Sequence, residues 1–214
     1  MIKRHKKYWD DEATKFDAIY TGKKSSFFHL LDKIFRKDMI DRLNFTIQES
    51  EPIKGKSFLD VGCGSGRYCL ELAIRNAKQI VGIDISPKMI DIAREIIKDK
   101  QLDTDIDFFV GELFDYKSEE IFDITIAIGF FDYIEQPVPL LKKMREFTRE
   151  KVILSFPRIN TWRAPLRKIR LLSRGYVVYF FTKNKIRNMM KQAGFSKCKI
   201  VKIGKLYCVV GYCN

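Results

Sequence analysis

The chain has 214 residues, 46% of them hydrophobic, which fits one α/β domain with a real core; no apolar run approaches the roughly 18 residues of a membrane span. No signal-peptide segment follows the basic N-terminus, so a cytoplasmic protein is expected, and the five cysteines (Cys63, Cys69, Cys198, Cys208, Cys213), odd in number and without C-x-x-C spacing, suggest neither a disulfide framework nor a zinc site but reduced, mostly buried thiols. The net charge of +13 comes wholly from residues 151–214, where 15 Lys and Arg meet no acid, while residues 1–150 hold 25 basic against 27 acidic side chains; this points to an anionic substrate, nucleic acid or acidic membrane surface, or else to solvated helix faces.

Residues 1–25 are polar and charged but carry Tyr8, Trp9, Phe16 and Tyr20, the pattern of a segment that docks on something. The two histidines, His5 and His29, read as surface or helix residues. From Ser26 to about Glu49 apolar residues recur at spacings of three and four, predicting an amphipathic helix, broken once, that covers a sheet. Pro52 to Gly55 is a turn. The stretch Ser57–Arg67, SFLDVGCGSGR, then reads as a strand ending in Asp60, a tight turn with glycines at 62, 64 and 66, and the start of a helix continuing over Tyr68–Asn76. Strand, glycine turn and helix in that order form a nucleotide site, because the glycines permit a tight turn and close ligand approach, and the helix aims its free N–H groups at the turn.

Gln79–Asp84 is a second strand, and Ser86-Pro87 opens a helix to about Lys100, with Ser86 as N-cap. Asp84 stands eighteen residues after Gly66, close to the roughly 20-residue offset at which a carboxylate on the second strand meets a ribose hydroxyl. Ile106–Val110 and Phe122–Ile128 are the third and fourth strands. Pro137–Thr148 reads as a helix and Lys151–Phe156 as the fifth strand. Arg158–Arg174 places Ile159, Trp162, Leu166, Ile169 and Leu172 at helical spacing among six basic residues. It suits a basic cap, an interfacial membrane helix or a nucleic-acid contact. Tyr176–Phe181 is strand-like or an apolar anchor, Thr182–Ala193 a helix ended by Gly194, and Cys198–Ile203 with Leu206–Cys213 a hairpin turning at Gly204-Lys205.

The G-x-G-x-G turn preceded by an acid, the strand ending in Asp84, and the stretches FFVGELFDY (Phe108–Tyr116) and FDITIAIGFFDYIEQP (Phe122–Pro137) together resemble the class I S-adenosylmethionine-dependent methyltransferases. The closing portion is most similar to small-molecule enzymes of that class acting on quinone precursors and porphyrins. The resemblance implies a Rossmann-like α/β fold: a seven-stranded, mostly parallel sheet with a C-terminal antiparallel hairpin and helices on both faces. One domain would span residues 1–214, with residues 1–50 as an N-terminal lid and 157–181 as a basic substrate cap.

The resemblance also implies roles. Asp60, Gly62, Cys63, Gly64 and Gly66 would line the cofactor turn. Asp84 with Ile85 would meet the ribose, Glu112 and Leu113 the adenine, and Gly129 and Phe130 the methionine part. Phe16 and Tyr20 would belong to the lid, with packing on the sheet edge as the alternative. Phe131, Tyr133, Arg158 and Arg163 would face the substrate, the aromatic rings because their faces attract a sulfonium cation. Glu112 is one methylene longer than the usual acid, and FTREK replaces the family's K-P-G-G turn before the fifth strand. The implied reaction is methyl transfer from S-adenosylmethionine to a small metabolite, with an anionic one as a candidate; RNA methylation and a non-catalytic scaffold are the alternatives. No catalytic base and no metal set stands out in the sequence.

Overall fold

The computed structural model describes residues 9–10, 29–159 and 177–213. Its centre is a seven-stranded sheet: β1 (Ser57–Val61), β2 (Gln79–Asp84), β3 (Asp105–Val110), β4 (Phe122–Ala127), β5 (Thr148–Pro157), β6 (Lys197–Ile203) and β7 (Leu206–Tyr212), in the spatial order β3-β2-β1-β4-β5-β7-β6. The first five are parallel. β7 runs antiparallel between β5 and β6. The Rossmann-like, mostly parallel sheet with a terminal hairpin is therefore present, and its helices lie on both faces.

On one face α1 (His29–Ser50), α2 (Arg67–Ala73) and α3 (Pro87–Lys98) bury Phe45, Leu72, Ile90 and Ala93 against Phe58, Ile80, Ile124 and Ile153. On the other, α4 (Pro137–Glu146) and α5 (Lys183–Gln192) bury Leu141, Met144, Ile186 and Met190 against Leu59, Phe122, Leu154 and Val209. Strands covered on both faces read as continuous apolar runs. β7 is such a run, whereas Lys197, Lys199 and Lys202 of β6 are exposed, as suits an edge strand guarded by charge.

The order in which successive strands are added reverses between β1 and β4, which stay parallel, so a crevice opens at their carboxyl ends, the place where open α/β sheets take ligands. Local signals position the helices that border it. Ser86 caps α3, its hydroxyl accepting from Met89 N at 3.2 Å, with Pro87 in the first turn. Thr182 caps α5 in the same way, accepting from Lys185 N at 3.2 Å.

Three expectations need correction. α1 is one continuous helix, not a broken one, and among its described apolar side chains the deepest is Phe45, with Leu43 and Ile47 only half-buried and Ile40 exposed, while Thr46 and Ser50 are fully buried. β5 begins at Thr148, inside the stretch read as helix and turn. Thr148 pairs with Phe122 across β4, and its hydroxyl lies 2.6 Å from both Thr125 Oγ1 and Met144 O. Finally, of the two readings given for Tyr176–Phe181 the strand fails, since residues 177–180 form none, while the buried Val178 and Phe181 suit the apolar anchor. Only Phe181 makes an isolated bridge to Arg158, its N–H donating to Pro157 O at 2.8 Å. Of the basic stretch, residues 160–176 lie outside the described residues.

Candidate cofactor crevice

The glycine turn is tied to the end of β2. Gly62 N and Cys63 N both donate to Ile83 O, at 2.8 and 3.0 Å, and Gly64 N donates to Asp84 Oδ2 at 2.9 Å. Gly66, with φ +71°, is the N-cap of α2. A Cβ on Gly66 would sit 2.8 Å from Ala93 Cβ, so this glycine lets α2 pack on α3. At Gly64, φ +54°, a Cβ would meet nothing within 4 Å: the turn faces open space there. Phe130 lies over the first glycine, its ring filling the place a Gly62 Cβ would take.

Two acids stand behind this turn. The Asp84 carboxylate accepts from Gly64 N through Oδ2 and from Ser86 N through Oδ1, each at 2.9 Å. Burial raises its pKa, the Ser86 and Gly64 N–H groups oppose that, and the neighbouring Asp10 adds to it. Asp60 is 2% exposed and accepts from the Cys69 thiol at 3.4 Å. Burial pushes its carboxyl up to about 7, with the Cys69 hydrogen bond pulling down and the Asp84 charge pushing up. Burial likewise holds the Cys63 thiol well above its usual range, so it is a neutral lining group and not a thiolate.

The remaining residues expected to meet the cofactor lie on the same edge. Gly111 N donates to Asp84 O at 2.9 Å, which fixes the turn carrying Glu112, half-buried, and Leu113, 2% exposed. Ile85 is half-buried beside Asp84. At the end of β4, Gly129 has φ +77° and donates to the buried Ser155 hydroxyl at 2.7 Å. Arg42 of α1 reaches the same point, with Nη1 3.4 Å from a Gly129 Cβ position.

The expected substrate residues divide. Tyr133 stays at the edge, where Trp9 meets it edge to face at 5.4 Å. Phe131 does not: it is fully buried, stacked on Phe156 at 4.5 Å, because the 3-10 turn Phe131–Tyr133 rotates it into the core. Arg158 points toward the hairpin, donating to Gly204 O at 2.6 Å. Phe16, Tyr20 and Arg163 lie outside the described residues. Asp132 is buried and its carbonyl accepts from Tyr179 N at 2.8 Å.

Sequence reading missed Asp10, Ser155, Arg42 and Cys69. Asp10 accepts from the Ser86 hydroxyl at 2.6 Å, so residues 9 and 10 of the N-terminal segment join the ends of β2 and β4. Only the spaced aromatics around Trp9 hinted at docking. The other three are long-range partners with no local pattern.

Comparison with known proteins places this crevice in context. A family described as "methyltransferase domain" matches residues 53–194. Norajmaline N-methyltransferase of Rauvolfia serpentina is 24% identical over 141 residues, 65% of this chain and 45% of that protein. Ubiquinone biosynthesis O-methyltransferase of Actinobacillus pleuropneumoniae serotype 7 is 26% identical over 157 residues, 70% of this chain and 63% of that protein. The chain thus spans less than two thirds of these curated relatives. Among solved structures, magnesium protoporphyrin IX methyltransferase of Synechocystis PCC 6803 with bound SAH superposes with a TM-score of 0.81 at 18% identity, covering 98% of each chain. The DhpI-SAH complex gives 0.71 at 15% identity, covering 99% of this chain and 96% of that one.

Proposed function

Because the chain belongs to the methyltransferase domain family, we propose that it moves the methyl group of S-adenosylmethionine onto a small organic acceptor and releases S-adenosylhomocysteine. The observation that carries this reading is the junction of Gly64 and Asp84. The turn leaves open space at Gly64, while the Asp84 carboxylate uses one acceptor site on each oxygen for Gly64 N and Ser86 N. A carboxylate offers about four acceptor sites, so two remain for a pair of vicinal hydroxyls such as those of a ribose.

The donor and acceptor set fits the rest of the cofactor. Leu113 offers an apolar surface to the adenine and Glu112 an acceptor to its amino group. Asp60, beneath the turn, supplies the negative potential that a ligand bearing an ammonium and a sulfonium requires. When bound, S-adenosylmethionine supplies a methyl group already activated on a positively charged sulfur. The chain's contribution is alignment: holding donor and acceptor near the attack distance of roughly 3 to 3.5 Å is worth several kcal/mol. Gly129, pinned by Ser155, and Phe130, lying over Gly62, define the wall on which that alignment rests.

The acceptors named for the relatives, an alkaloid, a quinone precursor and a porphyrin, support a small-molecule acceptor here. The acid-free C-terminal third supports an anionic one, with 157–181 as its cap. The test is a melting experiment with S-adenosylhomocysteine. At about 100 times its dissociation constant a ligand adds about 2.7 kcal/mol, which for this chain length is about 5–10 °C in Tm. No shift at millimolar ligand overturns the reading.

The raised pKa of Asp60 makes a second expectation. Below about pH 7 the folded protein keeps the Asp60 proton, whereas the unfolded chain loses it near 3.8. The group's stabilising contribution is therefore complete below about pH 4, erodes as pH rises toward 7, and is constant above. A cationic ligand reverses the preference by favouring the carboxylate. S-adenosylmethionine affinity is expected to rise by up to about tenfold per pH unit as Asp60 ionises below pH 7, with proton release on binding. Calorimetry in two buffers of different ionisation enthalpy measures both, and Asp60→Asn is expected to flatten the profile. A flat wild-type profile from pH 5.5 to 8 removes Asp60 from the cofactor's cationic end.

A further inference from the structure

The sheet's carboxyl edge carries a second cluster beyond β5. In register, Phe156 of β5, Tyr207 of β7 and Lys202 of β6 lie side by side on the face covered by α5. Arg158, two residues past Phe156, shares that face because side chains alternate along an extended chain. Its guanidinium carbon sits 5.4 Å from the centroid of the Tyr207 ring, and the Lys183 ammonium, from the first turn of α5, sits 5.9 Å from the same centroid. Two cations on separate elements are thus held within about 11 Å of each other over one ring, with Lys202 as that ring's cross-strand neighbour.

Among the described residues no carboxylate lies within 4 Å of Arg158, Lys183 or Lys202. Asp38, the acid beside the hairpin turn, is paired with Lys205 at 3.8 Å, and residues 151–214 contain no acid at all. An oxyanion bound among these cations is attracted by all three, with no described carboxylate in contact to compete for them. Arg158 is also pre-set for the task, since Nη1 is anchored on Gly204 O at 2.6 Å and a fixed guanidinium loses little freedom on binding.

We propose that Arg158, Lys183 and Lys202 around Tyr207 form an oxyanion subsite that holds a phosphate or carboxylate group of the acceptor. From β1 the sheet runs through β4 and β5 to β7, three steps of about 4.8 Å, so the subsite lies about 14 Å along the same edge from the glycine turn. The acceptor is then a molecule on the order of 10–15 Å long, with its anionic end remote from the methylated atom. The placement of the methylated end rests on the methyl-transfer reading; the anion subsite does not.

Inorganic phosphate, titrated into the full-length protein at constant ionic strength and followed by its phosphorus resonance, tests the subsite. The wild type is expected to bind, and Lys183→Ala/Lys202→Ala, which alters two exposed side chains, to bind at least tenfold more weakly. Charge reversal in Lys183→Glu should abolish binding. S-adenosylhomocysteine affinity, measured alongside, should be the same in all three proteins. No phosphate binding by the wild type, or equal binding by the double variant, overturns the subsite. Loss of S-adenosylhomocysteine binding with phosphate binding intact removes the methyl-transfer reading instead. Sedimentation with phosphatidylglycerol vesicles identifies the source: wild type that pellets while the double variant does not takes its phosphate from a lipid headgroup, and phosphate binding without pelleting assigns a free metabolite.

Discussion

Asp84→Ala is expected to weaken S-adenosylhomocysteine binding by about 10- to 150-fold, the equivalent of roughly 1.5–3 kcal/mol for hydrogen bonds to a charged group. The carboxylate is placed by two main-chain donors, Gly64 N and Ser86 N, at 2.9 Å each, so the substitution also frees the turn that the ligand must meet. Ser86 is fully buried, and the bonds these donors lose, made to a charged group, are worth about 1.5 kcal/mol each. Removing a carboxylate that burial already disfavours offsets part of that cost. A fall in Tm of a few degrees should therefore accompany the loss of affinity. Asp84→Asn, which keeps one acceptor oxygen, is expected to fall between. Calorimetry decides: a lowered Tm with unchanged affinity makes Asp84 a brace for the turn and takes the ribose away from it.

How far the crevice was legible in the sequence depended on whether the physics was local. The glycine turn and the Ser86 cap are dictated by backbone angles and first-turn hydrogen bonds, which residues a few positions apart reveal. Asp84 was legible for a related reason, since it ends a strand at a fixed offset from the turn. Asp60 with Cys69, Gly129 with Ser155, and Arg42 beside Gly129 are contacts between separate elements, and no spacing rule links them. Phe131 shows a different failure. In Phe130-Phe131-Asp132-Tyr133 every aromatic is chemically suited to a cationic ligand, and only the short 3-10 turn decides which ring faces the crevice and which stacks on Phe156.

The fold divides in the same way. The hairpin was marked by Gly204-Lys205, and its order in the sheet was present in the composition. LYCVVGY has no charged residue, so it belongs between two strands, while the lysines of KCKIVKI belong at an edge. The early start of β5 was hidden because Thr148 and Arg149 have no apolar period. What starts that strand is the Thr148 hydroxyl, within 2.6 Å of Thr125 Oγ1 and Met144 O, contacts reaching to β4 and α4.

Two glycines of the turn separate the needs of the fold from those of the site. Gly66→Ala is expected to be severely destabilising. Its φ of +71° costs a Cβ-bearing residue about 1–2 kcal/mol. The new methyl would also meet Ala93 Cβ at 2.8 Å and the Ala93 main chain at 3.4 Å. Overpacking of this kind costs about 1–3 kcal/mol, and neither atom belongs to a flexible side chain that can swing away. The total of roughly 2–5 kcal/mol is a large fraction of ordinary stability and corresponds to a drop in Tm of about 4–20 °C. Gly64→Ala carries a similar backbone cost at φ +54° but no clash, so its Tm should fall by only a few degrees. Its methyl would instead occupy the open space that the cofactor is proposed to fill, and S-adenosylhomocysteine affinity should drop at least tenfold. Melting curves and calorimetry on the two variants read the two effects independently. Wild-type affinity in Gly64→Ala would mean that the space before the turn belongs to solvent, and the cofactor would have to be sought elsewhere on the edge.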